Sequence, residues 1–209
     1  GRVRNRGVGV ASGAYIIFLD GDCVPETDFV AQHRALAQPG CFVNGSRILL
    51  SPHMTERVVA RSESVMGRNA LFWVRQRLQG HASKLLGHLR LPDGAFRIQG
   101  KFKWKGIRSC NLAVWRSDFE TVDGFDESFV GWGHEDADFV LRLHNAGVKR
   151  KNGFCATEVF HLWHREASRN QESANAKLVR QRETTGIVRS ALGYSQLRIA
   201  DDAVVTRPG

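Results

Sequence analysis

Several features are absent from this sequence, and each absence excludes a class of protein or of site. Its 209 residues include no apolar run long enough to cross a bilayer, and no signal peptide is visible. Cysteine is scarce, and the four residues are scattered with no Cys-x-x-Cys pair. That spacing argues against a disulfide framework or a zinc cluster and fits a reducing cytoplasm. Repeats and low-complexity segments are also absent from the sequence, so the length favours one domain with a substantial core.

Acidic residues are fewer than basic ones. Lys and Arg number 30 against 21 Asp and Glu, which gives a formal net charge of +9. Such a surplus attracts an anionic partner, whether nucleic acid, anionic lipid headgroups or a phosphorylated substrate. Charge alone does not choose among these partners, and it does not indicate a fold.

Strands and helices alternate along the chain, as in an α/β domain. Residues 80–106 lack a clear pattern, which predicts a mobile excursion on the surface. Elsewhere the apolar patterns and the Pro and Gly positions predict strands at 15–20, 41–50, 107–115 and 148–160, and helices at 25–38, within 53–79, and at 117–122, 134–145 and 168–190.

The most informative segment is residues 15–22, Tyr-Ile-Ile-Phe-Leu-Asp-Gly-Asp. The apolar run predicts a strand buried on both faces of a parallel sheet, and ligands bind beyond the carboxyl ends of such strands. Asp20 and Asp22 would therefore lie where a ligand is expected, and Gly21 would allow close approach. Two hard oxygen ligands suit Mg²⁺ or Mn²⁺ bound together with a phosphate. The alternative is an ordinary polar turn at the end of a strand.

A second informative segment is residues 131–138, Gly-Trp-Gly-His-Glu-Asp-Ala-Asp. Glu135 and Asp136 would lie in the first turn of a helix, where the macrodipole favours ionised carboxylates. Trp132 between two glycines would form a flat wall on which a sugar ring stacks, and a carboxylate beside it could take a proton from a substrate hydroxyl. The alternative is that the acidic residues only cap the helix.

A third segment, residues 159–164, reads Val-Phe-His-Leu-Trp-His. His161 and His164 are three residues apart between large apolar groups. Imidazole is an acceptable ligand for Mn²⁺, so the two histidines would complete a metal site begun by the carboxylates. The alternative is a pair of ordinary histidines at the end of a strand.

Five segments together, in this order and spacing, resemble the family 2 inverting glycosyltransferases of GT-A fold. The stretch from Asn111 to about Lys149 also resembles the carboxy-terminal half of the β-1,4-galactosyltransferases, and the resemblance covers roughly residues 1–165. The opening Arg-Asn-Arg-Gly, followed by Ala-Ser-Gly, is similar to the segment before the metal strand of that family. The five segments are Asp-Gly-Asp (20–22), Ser-Cys-Asn-Leu-Ala (109–113), Gly-Phe-Asp-Glu (124–127), Trp-Gly-His-Glu-Asp (132–136) and His-Leu-Trp-His (161–164).

The resemblance implies an α/β fold of the GT-A type, a Rossmann-like mixed sheet flanked by helices. Residues 1–165 would form a partial catalytic domain with a helical and loop insertion at about 51–106. Residues 166–209 would form a C-terminal helical extension. The strand–helix units that hold the base and ribose in that family would precede residue 1, so we expect the N-terminal part of the domain to be missing from this chain.

The resemblance also implies roles for individual residues. Asp20 and Asp22 would hold Mn²⁺ or Mg²⁺ against the diphosphate of a nucleotide-sugar, with Asp22 the direct ligand. Asp136 would be the general base that deprotonates the acceptor hydroxyl. Glu135 would belong to the catalytic pair with Asp136. The other implied roles are metal ligation by His164 and His161, donor binding by Arg4, Asp20, Gly21 and Asn111, and acceptor binding by Trp132, Gly133 and Glu135, with Glu135 also able to contact the donor sugar.

The implied partners are a nucleotide-diphospho-sugar donor and a glycan or lipid-linked acceptor, with an anionic acceptor also in view because of the charge. We expect a cytoplasmic protein, either free or peripheral at the inner face of the membrane, and polysaccharide or lipid-linked glycan assembly is the usual setting. No nucleic acid is expected. Three alternatives stay open: a nucleotidyltransferase, a truncated inactive glycan-binding chain, and a nucleic-acid-binding domain built on the basic and aromatic residues of 97–108.

Overall fold

The computed structural model describes residues 1–85, 89–104, 106–131, 133–165 and 172–196. In this part of the chain, strands in two mixed sheets are combined with helices, which confirms the predicted α/β class. The first sheet has the strand order β1-β5-β3-β6 and the second the order β2-β7-β4. The strands are β1 (Tyr15–Leu19), β2 (Cys23–Pro25), β3 (Cys41–Asn44), β4 (Ser46–Leu49), β5 (Asn111–Trp115), β6 (Lys149–Asn152) and β7 (Glu158–His161).

The helices fall close to the predicted positions, with one shifted start. The predicted helix from Pro25 begins later, because Pro25 ends β2 instead of opening a helix. None of the described helices has the length and apolar character needed to cross a bilayer. The helices are α1 (Arg2–Val10), α2 (Phe29–Leu36), α3 (Pro52–Val59), α4 (Ala70–Leu78), α5 (Arg116–Thr121), α6 (Glu135–Asn145) and α7 (Glu172–Arg182), with short 3-10 turns at Ala95–Arg97 and Tyr194–Gln196.

Strand β1 has the predicted position, but the predicted parallel pairing is wrong. It pairs antiparallel with β5 and has that single neighbour among the described strands. Ile16 and Phe18 pack into the main core on one face, and Tyr15 and Ile17 pack on the other. Both faces of β1 are therefore covered. A covered strand is a continuous apolar run in either sheet type, so the run could not distinguish the two pairings.

The predicted strand at 41–50 is two strands, because the chain passes from the first sheet to the second at Gly45. A Cβ at this position would overlap the side-chain amide of Asn111, so only glycine fits. The Asn111 amide donates to the backbone oxygens of Ser46 and Thr157, and its oxygen lies 3.0 Å from His33 Nε2. Asn111 therefore ties the two sheets together. The predicted strand at 148–160 likewise divides into β6 and β7.

The main core lies between the first sheet and helices α5 and α6. The rings of Phe125 and Phe139 stack with centroids 4.3 Å apart, and Phe18 packs edge-on against Phe125 at 5.3 Å. These aromatic contacts join β1 to α6. The carboxyl end of β1 and the N-terminus of α6 are thereby held on the same side of the sheet.

Helices α3 and α4, within the predicted insertion, cover the second sheet. Helix α3 begins with ordinary capping chemistry, since the Ser51 side chain accepts from the Met54 N–H and Pro52 occupies the first turn. Trp73 of α4 is fully buried, and its ring stacks on Phe160 of β7 with centroids 4.7 Å apart. The two helices are thus packed directly on the strand that leads to the histidine pair.

The segment 80–106, predicted as a surface excursion, is anchored by a buried arginine. Arg97 is only 2% exposed. Its guanidinium donates to the backbone oxygens of Leu91, Asn152 and Phe154 at 2.6–2.9 Å. Arg97 is therefore unavailable to an anionic ligand, which weakens the nucleic-acid alternative built on residues 97–108. Lys105 of that group lies outside the described residues.

Helix α7, in the segment predicted as a helical extension, packs against α6. Val179 is buried with Ala137 and Leu141. Arg182 donates to the buried carboxylates of Asp138 and Asp126 at 2.6 and 2.9 Å. Residues 166–171 and 197–209 of the same segment lie outside the described part of the chain.

Candidate active site

A cleft of about 680 Å³ lies at the loop between β1 and β2. Segments remote in sequence form its walls, and most of the sequence-predicted site residues belong to them. A smaller neighbouring pocket of about 490 Å³ is lined by Gly21 and the start of α1. The walls of the main cleft include Arg4, Asp20, Asp22, Arg47, residues 106–110, residues 133–137 and residues 161–164.

Asp22 lies against both histidines. Its Oδ2 atom is 3.0 Å from His164 Nε2 and 3.5 Å from His161 Nε2. The backbone fixes this proximity, because β2 and β7 pair antiparallel with Cys23 opposite His161, and the Leu162 N–H donates to the Asp22 carbonyl at 2.8 Å. The three side chains are thus brought together by strand register.

The donor atoms of this cluster suit a divalent cation. Asp22, Cys23 and His161 offer ligand atoms that all lie within 4.8 Å of one another. Burial lowers the pKa of His161 and outweighs the neighbouring Asp22 carboxylate, which would raise it. The lowered pKa favours the neutral imidazole, which is the form that ligates a metal. One carboxylate with two imidazoles fits Mn²⁺ better than Mg²⁺, which prefers oxygen ligands alone.

Asp20 lies in the same cleft but is bound to an arginine. Arg4 donates to Asp20 Oδ1 at 2.7 Å and to Glu135 Oε1 at 3.4 Å. Its guanidinium carbon also lies 5.5 Å from the centroid of the Phe125 ring. A single side chain from α1 therefore connects the β1–β2 loop to the first turn of α6.

The loop that leads into α6 turns sharply. Gly131 and Gly133 have φ angles of 79° and 100°, and His134, the N-cap, has a φ of 69°. Such positive values favour glycine and are uncommon for histidine. The Asn175 side chain of α7 donates to the carbonyls of Val130 and Gly133 at 3.3 and 2.9 Å. Trp132, the predicted acceptor wall, lies outside the described residues.

Asp136 occupies the cleft end of α6. Its carboxylate accepts from the Ala137 N–H at 2.8 Å and from the Ser109 N–H at 3.4 Å. Burial, followed by repulsion from Glu135, raises the pKa of Asp136 above its ordinary value. A carboxylate with a raised pKa is a stronger proton acceptor, and the cleft gives it access to a substrate hydroxyl.

Sequence patterns did not predict several other cleft residues. Arg47 of β4 and Arg108 add positive charge to the walls. The thiols of Cys23 and Cys110 are hydrogen-bonded to each other, which raises the pKa of Cys23 and lowers that of Cys110, with Arg47 adding to the second effect. No local pattern marks Arg47, because its approach to the cleft depends on the sheet change at Gly45.

The structure thus gathers most of the predicted residues and separates a few. Gly21 lines the smaller adjoining pocket. Asn111 is only 1% exposed and does not line the cleft, because its amide is used at the junction of the sheets. The residues that share the main cleft are Arg4, Asp20, Asp22, Gly133, Glu135, Asp136, His161 and His164.

Part of the chain is similar to proteins that are named as sugar transferases. Residues 94–165 match the family model described as the N-terminal domain of galactosyltransferase. A stretch of 45 residues is 42% identical to validoxylamine A glucosyltransferase of Streptomyces hygroscopicus subsp. jinggangensis (strain 5008), covering 22% of this chain and 11% of that protein. The validoxylamine A glucosyltransferase of subsp. limoneus matches at the same identity over 10% of its length. The match thus spans about a tenth of these relatives.

The family match covers one side of the cleft. Residues 94–165 include the first turn of α6 and the two histidines, whereas Asp20 and Asp22 precede them.

Proposed function

We propose that the chain catalyses metal-dependent, inverting transfer of a sugar from a nucleotide-diphospho-sugar to a hydroxyl group of a glycan or lipid-linked saccharide. The observation that carries the proposal is the shared cleft. A cation-binding set, Asp22 with His161 and His164, opens onto the same space as the carboxylates at the start of α6. Arg4 contacts Asp20, two residues before Asp22, and Glu135 of α6, so one side chain connects the β1–β2 loop to these carboxylates.

Asp22, His161 and His164 would hold Mn²⁺ or Mg²⁺, with the donor atoms favouring Mn²⁺. When bound, the ion would neutralise the negative charge that develops on the leaving diphosphate. Arg47 and Arg108 supply further positive charge in the cleft for the same diphosphate. The paired Arg4 and Asp20, with Gly21 in the adjoining pocket, would lie on the nucleotide side.

Asp136 would take the proton of the acceptor hydroxyl as the hydroxyl oxygen attacks the anomeric carbon of the donor sugar. Its raised pKa suits that role, and the N–H groups of Ala137 and Ser109 hold its carboxylate in one orientation. Glu135, fixed by Arg4, would hydrogen-bond a sugar hydroxyl, and Gly133 would lie on the acceptor side. A single displacement inverts the anomeric centre and needs one base and no carboxylate nucleophile.

The names of the related proteins favour a hexose as the transferred sugar, since one match is to a galactosyltransferase domain and the others are to glucosyltransferases. The acceptor would be a saccharide, in the setting of polysaccharide or lipid-linked glycan assembly on the cytoplasmic side of the membrane. The net charge of +9 fits a phosphorylated donor and an anionic acceptor.

The proposal is tested by incubating the chain with a panel of nucleotide-sugars and saccharide acceptors and following products by mass spectrometry. We expect a product heavier than the acceptor by one hexose residue, formed with Mn²⁺ and lost with a chelator. A product carrying a nucleotide, with release of sugar 1-phosphate, would instead identify a nucleotidyltransferase. Asp136→Asn should form far less of the hexose product, because it removes the proposed base. Glu120→Gln is its matched control, since Glu120 is an exposed carboxylate of α5 outside the cleft.

A further inference from the structure

Helix α4 carries an apolar face that points away from the protein. Its inner side buries Trp73 and Gln76, whereas Leu71 and Leu78 are 76% and 83% exposed. The two leucines are seven residues apart, which is two helical turns or roughly 10 Å along one side of the helix. Val74, between them, is also exposed. Exposed apolar residues that cluster on one face mark a site of interaction with a protein or a membrane more often than residues that are scattered singly.

The segment around this face is strongly basic. Residues 51–85 contain six Arg and Lys residues and two Glu residues. One of the two acids, Glu63, is already paired with Arg57 and Arg68. The exposed Arg75 and Arg77 belong to α4 itself, and neither forms an ion pair with a carboxylate of the described residues.

Apolar side chains that project between cations match one type of surface, the interface of an anionic bilayer. Leucines enter the acyl boundary while arginines remain at the phosphate level. A second copy of this chain fits less well, because a two-fold contact through the same face would bring Arg75 and Arg77 of both copies together. We propose that α4 is the element by which this protein docks on the surface of an anionic membrane.

Docking through α4 would also orient the cleft. Trp73 stacks on Phe160, and the next residue, His161, is part of the cleft wall. The backbone N–H of Trp163, at the cleft rim, donates to the Thr55 hydroxyl of α3 at 2.7 Å. Helices α3 and α4 are therefore packed directly behind the histidine segment. Docking on a membrane does not depend on the proposed function. The consequence that the cleft is held close to membrane-borne acceptors rests on the proposed function.

The test is flotation of the full chain with vesicles of phosphatidylcholine, with and without phosphatidylglycerol. We expect the wild type to float with the anionic vesicles and to be released as salt rises. Leu71→Gln/Leu78→Gln should reduce the floated fraction by about tenfold or more. Val30→Gln, an equally apolar exposed position on α2, is the matched control and should float as the wild type does.

A second double variant tests how much the arginine charges contribute to flotation, separately from insertion of the leucines. Arg75→Gln/Arg77→Gln retains the leucines and should lower flotation with anionic vesicles severalfold. Circular dichroism confirms that each variant is folded.

Three results would overturn the proposal: no flotation of the wild type, equal flotation with and without phosphatidylglycerol, or undiminished flotation of the leucine variant. A concentration-dependent dimer in sedimentation velocity that the leucine variant abolishes would also overturn it, because the occupant would then be a second copy. Flotation without any sugar transfer would contradict the proposed function alone. Transfer to a soluble acceptor without flotation would contradict docking alone.

Discussion

Replacement of Arg182 by Met should destabilise the protein more than any exposed charge change. Arg182 of α7 contacts the carboxylates of Asp126 and Asp138, both of which are fully buried. Removing one partner of a buried pair costs about 3–5 kcal/mol, because a charge is left without compensation. Asp138 keeps Arg142 at 2.8 Å, and Asp126 keeps the N–H groups of Ser128 and Ala191. We therefore expect a loss of about 2–4 kcal/mol.

A loss of that size should appear as a fall in Tm of roughly 5–15 °C for a chain of this length. Urea unfolding at neutral pH gives the free energy directly. The matched control is Arg189→Met, since Arg189 is 59% exposed and pairs with Asp123 at 3.3 Å. Because the Arg189 guanidinium is exposed and the buried Asp123 carboxylate keeps the N–H and the hydroxyl of Ser195, loss of this pair should cost only about 0–1 kcal/mol. If the two variants were equally stable, the energetic role given to the α6–α7 contact would be refuted.

The effect of Arg182→Met should also depend on pH. Burial alone would raise the pKa of Asp126, but hydrogen bonds from Ser128, Ala191 and Arg182 outweigh it, so its pKa is lowered in the folded protein. A lowered pKa contributes stability that is present above the unfolded value, near 4, and is lost as pH falls through the folded value. The difference between wild type and variant should therefore shrink below about pH 4. A difference that grew on acidification would contradict this assignment.

The remaining predictions concern the cleft and the junction of the sheets. Asp136→Asn should leave donor binding intact in calorimetry and lower transfer by about 10²–10⁴-fold, and near-normal turnover would exclude it as the base. Because a base must be unprotonated and the pKa of Asp136 is raised, the wild-type rate should fall on acidification at a pH above the ordinary carboxylate range, and a flat profile there would count against the assignment. Gly45→Ala should cost about 1–3 kcal/mol in urea unfolding, because its Cβ would overlap Asn111. Gly7→Ala, at a helical position with open space, should not share that loss.

Local patterns predicted the elements that carry the chemistry. The apolar run before Asp20 predicted β1, and the glycines and acidic residues around Glu135 predicted the start of α6. Each of these signals lies within a few residues of the element it defines, because strand length, helix capping and turn preference are local properties of the chain. The meeting of Asp22 with His161 and His164 in one cleft was expected from their shared ligand chemistry and from the resemblance to a family, and not from a local pattern.

Other features depend on contacts between remote segments and have no local signal. The approach of His161 to Asp22 depends on the register of β2 against β7. The sequence indicated a surface cation at Arg97, but the side chain is buried and its guanidinium donates to four backbone oxygens. Asn111 was expected at the sugar pocket, but the chain crosses between the sheets at Gly45, and the Asn111 amide is needed there. An isolated residue type does not reveal which backbone groups will surround it.

The central claim is that Asp22, His161 and His164 hold one divalent cation against a diphosphate. It is tested most directly by calorimetric titration of nucleoside diphosphates in the presence and absence of Mn²⁺. We expect Mn²⁺-dependent binding by the wild type and by Glu120→Ala, and a loss of more than about tenfold in Asp22→Ala and in His161→Ala/His164→Ala. Equal affinity for the diphosphate with and without Mn²⁺, or unchanged affinity in those variants, would contradict the claim.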